Sequence, residues 1–90
     1  MYKVVALYPP PADPDRFRRY YEESHLPLAR TMPGLTASRH SFAVEGLGEA
    51  SPWFCIWEGD FADRAAFEAA VASEAGQKTA ADIANYATGG

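Results

Sequence analysis

The chain has one cysteine, Cys55, among its 90 residues. A lone thiol cannot close an intrachain disulfide, and small secreted folds usually carry several, so the sequence points to a reducing, cytoplasmic setting. Long apolar runs are missing too. The longest, such as Val4 to Leu7, fall far short of the ~20 residues that span a bilayer, and no charged leader with a cleavable apolar stretch precedes them. Basic charge is scarce: 8 Lys and Arg stand against 12 Asp and Glu, a formal net charge of −4. That balance, with no stripe of arginines, argues against nucleic acid and anionic membranes as partners. The two histidines and the cysteine lie on different elements without Cys-x-x-Cys or His-x-x-x-His spacing, so no metal site is expected. Gly-x-Gly-x-x-Gly, Walker and Gly-x-Ser-x-Gly motifs are absent, which leaves nucleotide binding and serine hydrolysis without an anchor and implies no cofactor.

What is present is a chain that is 48% hydrophobic and 13% aromatic, read as a single domain over residues 1–90. A chain of this size buries only somewhat more than the ~60% of unfolded surface typical of a 60-residue domain, so a partner copy would help its thin core. Tyr2 to Tyr8, β-branched and aromatic, predicts a strand stopped by Pro9, Pro10 and Pro11. Asp13-Pro14-Asp15 supplies an N-cap, a proline at the first helical position and a carboxylate near the positive end of the dipole, so a helix starts at Pro14. Phe17, Tyr20, Tyr21, Ser24 and Leu28 recur at helical spacing and form its sheet-facing stripe. Pro27 lacks the N–H that would bond the Glu23 carbonyl and biases Leu26 away from helical geometry, which predicts a kink between His25 and Pro27. Pro33-Gly34 then turns the chain.

A second strand is expected from Leu35 to Val44 and a third from Trp53 to Trp57, paired as an antiparallel hairpin across the flexible Glu45–Pro52 connection. Asp63 caps a helix from Arg64 to about Ala72 with Phe67, Ala70 and Val71 inward, and Ser73 restarts a weaker alanine-rich helical stretch containing Gly76, Ile83 and Tyr86. The order β–α–β–β–α is an α+β, ferredoxin-like βαββαβ unit whose last strand is missing or incomplete.

The run from Tyr8 to Ala29, with Asp13, Phe17, Tyr20, Tyr21 and the His25-x-Pro27-Leu28 group, followed by Met32-Pro33-Gly34-Leu35, resembles the EthD family, named for proteins linked to ethyl tert-butyl ether degradation. The likeness extends more loosely over Trp53–Trp57 and the helix holding Phe67. It implies a ferredoxin-like fold that dimerises sheet against sheet into a dimeric α/β barrel. It implies no settled reaction, since this architecture hosts lactone isomerases, polyketide cyclases or decarboxylases, cofactor-free monooxygenases and haem proteins.

His25, four residues after Tyr21 and beside the proline, is the candidate acid/base group, with an ordinary pKa of ~6.5; its alternative role is to cap the broken turn. Tyr20 and Tyr21 can hold a substrate oxygen or orient the imidazole, or else pack the core with Phe17. His40 shares a strand face with Phe42 and Val44, opposite Arg39, and faces either the cavity or solvent. Cys55 shares a face with Trp53 and Trp57, a wall for an apolar ligand or a dimer core. Three functions follow: an enzyme using His25 for proton transfer on a small apolar carbonyl or lactone-like substrate in organic-compound degradation; a non-catalytic homodimer that hands a hydrophobic metabolite to an oxygenase system; or a cofactor-free monooxygenase leaning on the tryptophans and tyrosines.

Overall fold

The computed structural model describes residues 1–90. Strand β1 runs Tyr2–Tyr8, helix α1 Pro14–Tyr20, a π-helical turn Tyr21–His25, helix α2 Leu26–Ala29, strand β2 Ala37–Ser41, strand β3 Cys55–Phe61, helix α3 Arg64–Ala72 and helix α4 Glu74–Asp82, with a 3₁₀ turn at Ile83–Asn85. The sheet order is β1-β3-β2, both pairings antiparallel, with Ala6 opposite Trp57 and His40 opposite the same Trp57. This is the ferredoxin-like α+β arrangement without a strand after the second helical layer, since the chain from Tyr86 to Gly90 forms none.

The helix starts follow their caps. The Asp13 side chain accepts from the Arg16 N–H at 3.1 Å, that of Asp63 from Ala66 at 2.8 Å and that of Ser73 from Gly76 at 3.0 Å. Each cap satisfies one of the free N–H groups of a first turn, worth about 1 kcal/mol. Gly34, with φ +81°, makes the turn after Pro33, a conformation only glycine enters freely.

Period-two alternation divides the sheet into two faces. Val4, Ala6, Tyr8, His40, Cys55, Trp57 and Phe61 look toward the helices, whereas Lys3, Val5, Leu7, Arg39, Ile56, Glu58 and Asp60 look away from them. Under the helices, Phe17, Tyr21, Tyr86, Phe61 and Cys55 are almost fully buried. Phe17 meets Tyr8, Phe54 and Tyr86 edge-on at 5.1–5.4 Å and stacks on Tyr21 at 5.3 Å. Each such ring contributes roughly 1.5–3 kcal/mol by burial, with ~0.5–1.5 kcal/mol more per good ring pair.

Four expectations change. The helix does not break before Pro27: Leu26 is helical, φ −62° and ψ −42°, and its N–H reaches the Tyr21 carbonyl five residues back. The wider turn accommodates the proline's missing donor while the segment stays helical on to Ala29. Because a π turn holds one extra residue, the buried stripe advances by one, from Ser24 and Leu28 to His25, Leu26 and Ala29, and Ser24 becomes exposed. The second strand is shorter, Ala37–Ser41, and the third is shifted to Cys55–Phe61; ladder pairing with β1 carries β3 through the polar Glu58-Gly59-Asp60 to Phe61. Finally, Val71 faces outward; only Ala70 of that helix is buried, and Phe67 packs at the edge against Tyr2 and Phe61.

Candidate functional site

The π turn places Tyr21 and His25, four residues apart, on the same inward side. The imidazole stacks on the Tyr21 ring at 5.4 Å and lies 4.5 Å from the Tyr86 ring, only 4% exposed. Its Nδ1 is 2.9 Å from Asp82 Oδ2, across 57 residues of chain. An ionised carboxylate can only accept, so Nδ1 carries the proton and donates it, leaving the Nε2 lone pair free. Asp82 is held in turn: its Oδ1 accepts from the Tyr20 hydroxyl at 2.6 Å and from Asn85 Nδ2 at 2.9 Å. The Asn85 carbonyl accepts from Arg16 Nη1 at 2.9 Å, which ties the segment after α4 back onto α1.

Burial lowers the His25 pKa below its ordinary value, and the Asp82 hydrogen bond and charge offset only part of that shift. The ring is therefore neutral near pH 7, the form a base requires. Partial burial raises the Asp82 carboxyl, but the hydrogen bonds from Tyr20, Asn85 and His25 outweigh it and the net shift is downward, so Asp82 stays an anion. A histidine whose Nδ1–H is fixed by a carboxylate presents Nε2 in one orientation and one tautomer, which is the division of roles that general-base histidines use.

The His25 ring borders a hollow. A cavity of about 100 Å³ lies between helices and sheet, walled by Ala6, Tyr8 and Trp57 from the strands, Tyr21, His25, Ala29 and Met32 from the first helical layer, and Thr79 and Ile83 from the second. Gly59 shapes its floor: the Trp57 indole lies where a Cβ at that position would collide with it. On its other side Asp82 lines an open groove with Leu28, Lys78 and Asn85. The carboxylate thus stands between an apolar interior and the surface.

The residues singled out in the sequence fall into two groups. His25, Tyr21 and Trp57 line the cavity. Tyr20 does not; its hydroxyl holds Asp82 instead. His40 is on the covered face but outside the cavity, 3.2 Å from Glu22 Oε2 and edge-on to Phe42. Cys55 is buried behind the cavity wall, and burial pushes its thiol up to about 12, so it is neither ionised nor nucleophilic at neutral pH. Trp53 precedes the strand, is 38% exposed and does not continue the Cys55–Trp57 wall. Asp82, Asn85, Tyr8 and Tyr86 were missed. A signal existed for Asp82: it sits with Thr79, Ile83 and Tyr86 at i, i+3, i+4 and i+7 spacing, a carboxylate inside an otherwise inward stripe. No group of three or more His, Cys, Asp and Glu side chains is placed to hold a metal ion.

A three-stranded sheet covered on one face by two helical segments, with a carboxylate-oriented histidine bordering a hollow, defines a small α+β protein of ferredoxin-like architecture. The chain belongs to the EthD family: an EthD domain matches residues 9–90. It is 33% identical, over its full length and 87% of the other protein, to an uncharacterized 11.0 kDa protein in the thcB-thcC intergenic region of Rhodococcus erythropolis. An EthD family protein from Bacillus halodurans has a crystal structure that superposes with a TM-score of 0.86 at 27% identity, covering 94% of this chain and 85% of that one. A dimeric ferredoxin-like protein of unknown function from Jannaschia sp. shares the fold at a TM-score of 0.65 and 23% identity, covering 98% of this chain and 85% of that one.

Proposed function

We propose that this protein is an acid/base catalyst of organic-compound degradation, acting on a small, mostly apolar carbonyl or lactone-like compound, with His25 as the proton-transfer group and Asp82 as its orienting carboxylate. The observation that carries the reading is the 2.9 Å bond from a buried, cavity-lining imidazole to Asp82. A structural histidine needs no free nitrogen facing a hollow. Here one nitrogen is held by Asp82, the other has no partner within the chain, and the ring belongs to the lining of an apolar hollow. A well-placed base supplies roughly 10²–10⁴ in rate.

The test is incubation of a panel of small ketones and lactones in D₂O with the protein, followed by proton NMR. The expected result is protein-dependent isomerisation or α-hydrogen exchange that falls ~10²–10⁴-fold in His25→Ala. Compounds bound but recovered unchanged and unexchanged would instead favour carriage of a hydrophobic metabolite, for which the apolar lining alone suffices.

The working form is a homodimer built through the open sheet face, in the cytoplasm. Val5 and Leu7 are exposed there beside Ile56, and Asp60 Oδ1 is buried without a hydrogen-bond partner. A structural relative described as dimeric supports the same reading. No helix is long and apolar enough to cross a membrane, and Cys55 is the only thiol.

A further inference from the structure

We propose that Tyr8 is the hydrogen-bond donor that holds the substrate oxygen, and that the site takes an enolisable ketone of about the size of butan-2-one. This rests on the acid/base reading of His25 and names its substrate class. It starts from a count of protons. The Tyr86 hydroxyl, on a ring 1% exposed, lies 2.8 Å from that of Tyr8 and has no other hydrogen-bond partner. A buried hydroxyl without an acceptor is costly, so Tyr86 donates to Tyr8. The proton of Tyr8 is then left without an acceptor in the protein. Tyr8 lines the cavity and Tyr86 does not.

The position of this spare donor matches what the base requires. The Tyr21 ring lies 5.4 Å from His25 and 5.5 Å from Tyr8, and the Tyr86 ring 4.5 Å and 5.6 Å from the same two. Base and donor therefore flank the same pair of rings and face one hollow. Accepting from Tyr86 also polarises the Tyr8 O–H: burial raises the Tyr8 phenol, while the neighbouring Tyr86 and Tyr21 hydroxyls act in the opposite direction by favouring its anion. A phenol so placed is a stronger donor to a developing oxyanion than to a neutral carbonyl, which is the differential binding that lowers a barrier. The cavity holds about 100 Å³, room for a few heavy atoms, given ~30 Å³ per liquid water.

The step balances without a co-reactant. Nε2 of His25 takes a proton from the carbon next to the carbonyl; the C–H pair becomes a C=C bond, and the carbonyl π pair moves onto oxygen, which accepts from Tyr8. Return of a proton, or of a deuteron after exchange with solvent, to either flanking carbon regenerates a ketone.

The test uses butan-2-one and the intact protein. In wild type the infrared carbonyl stretch of the bound ketone shifts to lower frequency, and α-deuterium exchange in D₂O is accelerated. Tyr8→Phe should abolish the carbonyl shift and slow exchange ~10²–10³-fold, the loss typical of one oxyanion donor. Tyr86→Phe should keep the carbonyl shift but weaken it, with a smaller loss of exchange. His25→Ala should abolish exchange and leave the carbonyl shift in place. Thermal melts confirm that each variant is folded. If Tyr8→Phe leaves both readouts unchanged while His25→Ala abolishes exchange, the donor assignment is overturned and the base reading survives. A Tyr8-dependent carbonyl shift with exchange no faster than in His25→Ala overturns the enolisation through the base instead. A wild type that gives no carbonyl shift overturns the substrate class.

Discussion

The two faces of the sheet are drawn from the same three strands and differ in how they settle their polar groups. On the covered face, Cys55 is fully buried, Tyr8 packs against Phe17 of α1 and Tyr86 after α4, and Phe61 against Phe67 of α3; His25 Nδ1 is paired with Asp82 and the Tyr8 hydroxyl with that of Tyr86. On the open face, Val5 and Leu7 are 47% and 43% exposed, and a ladder of alternating charge crosses the strands. Arg39 bonds Glu58 at 2.8 Å and Asp60 at 2.7 Å, and Lys3 reaches Glu58 at 3.2 Å and Asp60 at 3.7 Å. Arg39 holds both carboxyls below the usual carboxylate range, with Lys3 assisting. Yet Asp60 Oδ1 ends buried and without a hydrogen bond. One face pairs its buried polar groups under the helices; the other leaves apolar side chains and one carboxylate oxygen without a cover from this chain.

The sharpest break of this contrast is Phe17→Ala. It should cost ~3–5 kcal/mol in urea unfolding, because the ring fills the centre of the covered face; this is a large part of the ~5–15 kcal/mol that holds a small domain. A loss below about 1 kcal/mol would mean that the ring cluster is not the core.

Next in size is Asp82→Asn. Asparagine can accept as well as donate, so the tautomer of His25 is no longer set, and turnover should fall by up to ~10⁴-fold, with KM little changed. An unchanged kcat would reduce Asp82 to a structural tie.

A third measurement is stability against pH. His25 binds its proton at lower pH in the fold than the ~6.5 of an unfolded histidine, so between those two values the unfolded chain holds more protons and stability rises with pH. The melting temperature should therefore drop as pH falls from 7 toward 5, and His25→Gln should flatten that slope. Asp82, shifted downward, adds a separate loss only below about pH 4, as its carboxylate protonates. A slope unchanged in His25→Gln would assign the first window to another group.

The smallest effect on the fold, and the one most specific to the open face, is Leu7→Lys. Monomer stability should stay within ~0.5 kcal/mol, as for most exposed substitutions, while sedimentation shows a dimer giving way to monomer. Loss of stability without a change in mass would place Leu7 in the core instead.

Much of this was legible from local pattern. The caps at Asp13, Asp63 and Ser73, the strand at Tyr2–Tyr8 and the burial of Phe17 and Tyr21 follow from spacing and propensity, and the structure places them as expected. The inward turn of His25 was legible too, although the reason given for it, a broken helix, was not the one at work. What escaped depends on distant contacts. Nothing near Asp82 in sequence announces a histidine 57 residues away, and the partnership of Tyr8 with Tyr86 spans 78. Such pairs are set by how the second helical layer docks on the first, which local propensity does not encode.

The π turn has a consequence for how this chain can change over time. With its single surplus residue it works like the extra tooth on a gear, fixing the angular phase of every side chain that follows. Removing one residue between Tyr21 and His25 would take out the surplus and let the turn close as an ordinary α turn with the imidazole still inward, whereas a further residue there would swing it about a quarter-turn round the axis, away from Asp82. Length at that point is thus freer to shrink by one than to grow, and descendants of this chain should tolerate substitution at the exposed Glu22, Glu23 and Ser24 far better than an insertion among them.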